Sequence, residues 1–347
     1  MAPEVLVIEN DCWRVGVLPG TGASLDSGQV RLDGVWRDVL RPTRPAGRRR
    51  YPQCASYVLV PFSNRVRDGM LRFGDRSWQL RRNAADGTAM HGAAHEYPWA
   101  VVARTPTSVT AEFDAGAVVG VNFPWTFTAR VTYALDGPRL SVRTELTNTD
   151  VEAFPAGFGH HPYFQRGLVD PTVSEVRVRI PTEASHPLER GMAVGPPGPL
   201  ASAADYRTLR PLARLPFVDV CLTRRTSADT VHLEWPASGL AVRMRADDVF
   251  SHTVLYVPRG RPWFAVEPVT HANDGFTLRA EGIEGHGVVV LGPGETLTGT
   301  FDLTAEPLDP ATGPTGRRAA VGSTASGPEA VPSAVPRPVA PVPVGHT

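Results

Sequence analysis

The residue types best suited to chemistry sit in two short segments far apart in the chain, His160-His161-Pro162-Tyr163-Phe164 and Val266-Glu267-Pro268. Together they offer an imidazole and a carboxylate, a pair that can take one proton from a small substrate while giving it another. A third histidine opens His91-Gly92, among turn residues that let a side chain approach a ligand without crowding, and an arginine stands in Asn64-Arg65-Val66-Arg67-Asp68-Gly69. Residue type alone leaves each role open. Glu267 follows the apolar run Trp263-Phe264-Ala265-Val266, which would restrict its solvation and raise its pKa. A strand glutamate paired with an arginine at the surface is the commoner arrangement. The planar fork of Arg65 suits two adjacent hydroxyls or, more plainly, an ion pair with Asp68. Pro162 forces extended geometry on His161, so its ring projects from a strand or loop edge rather than from a helix. His160 is the rival.

The elements that must position these groups read as strands. Phe123, Trp125, Phe127, Ala129, Val131, Tyr133 and Leu135 alternate with mostly polar neighbours, the period of a strand with one buried face. Asp136-Gly137-Pro138-Arg139 supplies the turn, and alternation resumes at Leu140, Val142, Thr144 and Leu146. This long hairpin leads into the histidine segment. Val231, Leu233 and Trp235, a Pro-Ala-Ser-Gly turn, and Leu240, Val242 and Met244 repeat the pattern, as do Leu297, Phe301 and Leu303. No dozen residues carry a helical stripe; Ala201 to Leu215 comes nearest and contains Pro211. With 34 prolines and 33 glycines punctuating short strands, the expected architecture is all-β with few or no helices, its antiparallel sheets packed face to face to hide their apolar sides.

The chain of 347 residues has 35 basic and 35 acidic residues and no formal net charge, which argues against a nucleic-acid or anionic-membrane partner. It contains no lysine. The N-terminus lacks the basic start and apolar core of a secretory signal, and no apolar run reaches membrane-spanning length. Cys12, Cys54 and Cys221 are too scattered for a disulfide framework or a zinc site. A reducing, cytoplasmic location is expected, with Cys221 a small buried hydrophobe. Residues 309–347 lack aromatic side chains and are rich in Pro and Ala, so they are expected to form a disordered tail beyond a domain over 1–308.

In order along the sequence stand an Asn-Arg pair followed by Asp-Gly, then Met90-His91-Gly92 with Trp99 after it. Next come Pro155-Ala156-Gly157-Phe158-Gly159-His160-His161-Pro162-Tyr163-Phe164, Phe217-Val218-Asp219, Ala265-Val266-Glu267-Pro268-Val269-Thr270 and Val289-Val290-Leu291-Gly292-Pro293-Gly294-Glu295. In content and order the chain resembles the aldose 1-epimerases, also called galactose mutarotases. The resemblance implies a large β-sandwich (a galactose mutarotase-like supersandwich) with an open sugar cleft on one sheet. It implies an isomerase that interconverts the α and β anomers of an aldohexose without metal or organic cofactor. A histidine, one residue and then Tyr-Phe is the family pattern, which selects His161 as the acid; Glu267 becomes the base. His91, Arg65 and Asp219 become sugar-binding residues. Two departures concern the identity of the sugar: Pro216-Phe217-Val218-Asp219-Val220 differs from the galactose-acting context, and Gln165-Arg166 stands where galactose enzymes carry an asparagine.

Other readings are a sugar-phosphate (hexose-6-phosphate) 1-epimerase, motivated by Arg48, Arg49, Arg50, Arg65, Arg67, Arg81 and Arg82, and a non-catalytic carbohydrate-binding module. In a lysine-free chain, clusters of arginine mean less than usual. A metal enzyme using His91, His160, His161 and Glu267 lacks the spacing that puts two histidines on one ion. Trp99 and Tyr163 could stack on a sugar face, although aromatics in a sheet protein are more often core.

Overall fold

The structure is a computed structural model that describes residues 3–170, 172–212 and 217–308; the tail expected over 309–347 lies outside the described residues. Antiparallel strands dominate it. Nine form one sheet in the order Ala100–Thr105, Ser108–Asp114, Phe127–Asp136, Arg139–Asn148, Thr296–Pro307, Leu240–Ala246, Asp229–Trp235, Arg177–Arg179, Arg210–Pro211. The alternation read from the sequence is its backbone: Asp136 faces Arg139 across the two-residue turn Gly137-Pro138, and Val131 and Tyr133 are buried while Arg130 is exposed. Phe123 and Trp125 are buried but precede the strand.

A second, eight-stranded sheet runs Gly198–Pro199, Thr182–Ser185, Val218–Arg225, His252–Val257, Trp263–Val269, Gly159–His160, Val58–Leu59, and Tyr163–Gln165 also pairs with Trp263–Val269. The two sheets face each other. The His160 ring on one packs against Phe301 on the other at 5.1 Å, and the Trp235 indole donates to the Gln165 carbonyl at 3.0 Å. Between them lies a core that includes Trp13, Phe158, Phe264, Leu303 and Trp235. A four-stranded sheet, Leu6–Glu9, Trp13–Leu18, Ser24–Leu32 and Val35–Asp38, adds to it.

Strand Trp263–Val269 is buried almost throughout, and its two faces do different things. Phe264 and Val266 enter the core between the sheets. Ala265 and Val269 join a second apolar cluster with Tyr57, Leu59, Tyr163 and Cys221 on the other face, where Glu267 also points by the two-residue period. The one α-helix among the described residues is Gly275–Ala280, too short to show a stripe in sequence. No helix among the described residues is long and apolar enough to cross a membrane.

Candidate active site

Register assembles the site. Asp219 lies opposite Tyr256, Tyr256 opposite Ala265 and Ala265 opposite Tyr163, so these residues form one row across the sheet. In a neighbouring row Cys221 faces Val254, and Val254 faces Glu267. Two sequence-distant carboxyl groups therefore share one face of the sheet. Consecutive residues of an extended chain point to opposite sides, which separates the two histidines of the central segment. His160 turns inward and its Nε2 hydrogen-bonds Thr144 Oγ1 at 2.7 Å in the opposite sheet. His161 turns to the Glu267 side, where its Nε2 lies 3.1 Å from Glu267 Oε1.

Arg65 and His91 arrive on a separate small ribbon, Arg65–Val66 paired with Ala89–Met90. The His91 amide donates to Asn64 O at 2.7 Å, and His91 sits in the left-handed region at φ 64°, an uncommon conformation for a residue other than glycine. Gly92 follows at φ 79°, and a Cβ there would stand 2.1 Å from the Val60 carbonyl oxygen. Glycine is required at that step, and the tight bend swings the imidazole toward His161, whose ring centroid is 5.5 Å away. Arg65 Nε donates to Asp86 at 2.8 Å, which replaces the sequence-adjacent Asp68 as its ion-pair partner.

All five residues singled out in the sequence, Arg65, His91, His161, Asp219 and Glu267, line one cavity of about 240 Å³ with Tyr57, Tyr163 and Tyr256. Its aromatic wall lies against His161: the Tyr57 ring stacks on it at 4.8 Å and 21°, and Tyr163 leans on it at 4.4 Å. The Arg41 guanidinium lies 3.8 Å over Tyr163 and 4.8 Å from the Trp263 ring centre. Its terminal nitrogen donates to the carbonyls of Pro52 and Cys54. Trp99, by contrast, is core: its indole donates to Ala94 O and its ring stacks with Phe113.

Glu267 is 2 % exposed and His161 5 %. Burial, then the nearby Asp219, holds the Glu267 carboxyl well above the usual carboxylate range, with Arg65 opposing. Burial, then the Arg41 cation, pulls His161 down to about 3. Asp219 is raised by burial, again opposed by Arg65. His91 is lowered by burial, by His161, by His95 and by Arg65. The Glu267 and His161 shifts have the same cause: loss of solvation favours the neutral arrangement of carboxylic acid and imidazole. Glu267 Oε2 and His91 Nδ1 are buried with no hydrogen-bond partner among the described residues, so polar capacity is left for an incoming group. His160 faces away from this cavity, and no cluster of three or more His, Cys, Asp or Glu among the described residues has metal-holding geometry.

With this site on a two-sheet sandwich, the family profile described as aldose 1-epimerase matches residues 4–304. The chain belongs to the aldose 1-epimerase family. It is 27 % identical over 295 residues to YphB of Escherichia coli K12, a protein of uncharacterized function, across 81 % of this chain and 94 % of that one. A galactose mutarotase-like protein of Clostridium acetobutylicum shares the fold with a TM-score of 0.78 at 18 % identity, covering 88 % of this chain and 96 % of its own. A GalM/aldose epimerase homologue from C. elegans does so with 0.76 at 16 %, covering 89 % and 100 %.

The sequence reading of this epimerase-family chain passed over Arg41, Tyr57 and Tyr256, all of which touch or support the site. Tyr57 shares strand parity with Leu59, a weak signal. Tyr256 becomes visible only through its register with Asp219. Cys54 and Cys221 are buried free thiols, their pKa values pushed up to about 11 and about 12 chiefly by burial, as expected of small hydrophobes rather than nucleophiles.

Proposed function

We propose that the protein is an aldose 1-epimerase acting on a free aldohexose, with Glu267 as base and His161 as acid. Interconverting anomers requires opening a hemiacetal ring, rotating about the C1–C2 bond and closing it again. One group removes the proton from the C1 hydroxyl while the other protonates the ring oxygen, and the roles reverse on closure. Proton transfer by positioned groups contributes roughly 10²–10⁴-fold each. The single observation that carries the proposal is the buried His161–Glu267 contact at 3.1 Å, opening on a cavity lined by Arg65, His91 and Asp219. A proton held between these two groups is already shared by the pair that must exchange it. Glu267 as carboxylate and His161 as imidazolium is the tautomer of the resting pair with the same proton count, so sugar binding need only shift the proton across. These two groups move both protons by themselves.

A neutral sugar fits this cavity better than a phosphate ester. The cavity presents the carboxyls of Asp219 and Glu267 but one arginine, Arg65, already paired with Asp86, so a dianion there would meet a cation committed to another carboxylate. Anomer exchange followed by saturation-transfer NMR over a panel of aldoses and their 6-phosphates tests the proposal. Exchange of a free aldose above the spontaneous rate is expected. Binding without exchange would make the protein a carbohydrate-binding module, and exchange confined to the phosphates would reverse the substrate assignment.

A further inference from the structure

Three arginines that each precede a proline, in Arg41-Pro42, Arg44-Pro45 and Arg261-Pro262, meet at one place in the fold. A proline holds the residue before it extended, and Arg44 is found so, at φ −67° and ψ 143°. The three line a cavity of about 650 Å³ with Gln53, Gln165 and Trp263. Trp263 pairs with Gln165, in the row that neighbours Tyr163–Ala265 on the side away from Glu267. By the two-residue period Trp263 projects to the same face of the sheet as Glu267, roughly 13 Å along the strand. The Arg41 amide donates to the Tyr163 carbonyl at 2.8 Å, which lays its segment beside that row. No residue lines both this cavity and the catalytic one.

Charge sets this cavity apart. In a chain without lysine, arginines supply every basic contact, and many are spent: Arg48 pairs with Asp26, Arg65 with Asp86, Arg67 with Asp274 and Arg81 with Glu96. No described ion pair engages Arg41, Arg44 or Arg261, and no acidic residue lines the cavity. Arg41 gives one terminal nitrogen to the carbonyls of Pro52 and Cys54. Its Nε and Gln165 Oε1 are buried with no hydrogen-bond partner among the described residues. One guanidinium fork already satisfies a carboxylate, whereas a phosphate has three acceptor oxygens to share among several. The volume falls in the range of small-molecule sites, about 300–1,000 Å³, and exceeds what a bare phosphate fills. Trp263, Pro42 and Pro262 supply an apolar wall for the rest of the molecule.

We propose that this cavity is a binding site for a phosphate monoester, separate from the sugar cavity, with the phosphate among Arg41, Arg44 and Arg261 and the organic body against Trp263. The inference stands apart from the epimerase reading. Arg41 links the two places, since its guanidinium lies 3.8 Å over the ring of Tyr163, which leans on His161. Arg44 and Arg261 hold the ligand without reaching that pair.

Arg44 and Arg261 are exposed and their side chains enter no described hydrogen bond or ion pair, so Arg44→Ala and Arg261→Ala leave the fold intact. The test is calorimetric titration of the whole chain with phenyl phosphate, inorganic phosphate and phenol at one ionic strength and at about pH 8, where the monoester is a dianion. Phenyl phosphate is no aldose and cannot be turned over by an epimerase. It should bind about tenfold tighter than inorganic phosphate, through its buried ring, and phenol should not bind. Each variant should weaken phenyl phosphate by about tenfold, roughly one charge-assisted hydrogen bond. Arg104→Ala, in the exposed strand Ala100–Thr105 of the other sheet, should leave it unchanged. Absent binding, inorganic phosphate bound as tightly, or an equal loss in Arg104→Ala would overturn the site. Displacement of phenyl phosphate by a saturating aldose would place it in the catalytic cavity and overturn the separation. The titrations need no turnover, so they decide the site even where no aldose is exchanged and the epimerase reading has failed.

Discussion

The two large sheets bury their strands in opposite ways. In the nine-stranded sheet, Phe127–Asp136 buries every second residue and leaves the rest half-buried or exposed, because one face packs on the core and the other meets water. In the eight-stranded sheet, His252–Val257 and Trp263–Val269 are buried nearly without a break, because the nine-stranded sheet covers one side and the site loops around Tyr57, Arg65 and His91 cover the other. The first arrangement builds a scaffold. The second creates a place where a carboxyl and an imidazole lose most of their hydration, and where burial raises the one pKa and lowers the other. The proposed chemistry falls on the sheet that has no free face.

The comparison breaks most sharply at the proposed acid–base pair. Glu267→Gln and His161→Asn should each lower turnover by about two orders of magnitude or more while sugar binding largely survives, since each group acts in the transition state. The double variant should be little worse than the poorer single one, because the residues act as one relay. Saturation-transfer exchange rates with parallel binding titrations check this. A mild Glu267→Gln phenotype would remove the base from Glu267.

The same substitution should affect stability in the opposite direction. The folded-state pKa of Glu267 lies well above the unfolded value, so between the two the folded protein holds a proton that the unfolded chain has released. Stability is full below the unfolded pKa of about 4.3 and falls as pH rises toward the folded value. Gln carries no such proton. Glu267→Gln should therefore melt higher than the wild type, by a margin that widens with pH at about 1.4 kcal/mol per unit until the folded pKa is passed. Melting curves between pH 5 and 9 test it; a margin independent of pH would show that the carboxyl is not held protonated by burial.

Much of this division was legible before the structure, but not evenly. The hairpin Phe127–Asn148 announced itself because a solvent-facing side imposes period two. Val218–Arg225 and Trp263–Val269 carry no clean alternation, since both faces are covered, and a short apolar run alone does not specify a strand. His161 could be chosen over His160 only through the family pattern; the physical reason, opposite faces of one extended segment, needed the pairing with Val58 and Val269. Arg65 finds Asp86 rather than Asp68 because Asp68 sits in a left-handed turn at φ 53° next to the ribbon, a matter of backbone path that sequence proximity does not encode. Arg41 left no trace and Tyr57 only its parity with Leu59, because support through stacked rings depends on where strands from different parts of the chain meet.

His160 offers a smaller test at the boundary between the two environments. Its ring bridges the sheets through Thr144 and Phe301. His160→Asn should cost about 1–3 kcal/mol of stability, the range for disturbing a buried hydrogen bond, while turnover per folded molecule stays near wild type. A turnover loss as large as that of His161→Asn would place both histidines in the reaction.

The smallest effect exposes the sheets' asymmetry most directly, using one exchange of nearly equal volume on adjacent residues of one strand. Val131 is fully buried between the sheets, whereas Thr132 is half-buried on the outer face, its hydroxyl 3.0 Å from that of Thr110. Val131→Thr sinks a hydroxyl into the apolar core and should cost about 1–3 kcal/mol. Thr132→Val trades a solvent-accessible hydroxyl pair for a better strand former and should stay within about 0.5 kcal/mol of wild type. Denaturant titrations with unchanged slopes would isolate the difference as one of stability. Equal costs at the two positions would mean that the outer face of the nine-stranded sheet is covered in solution, and the contrast between that sheet and the fully covered sheet that carries the proposed acid–base pair would no longer hold.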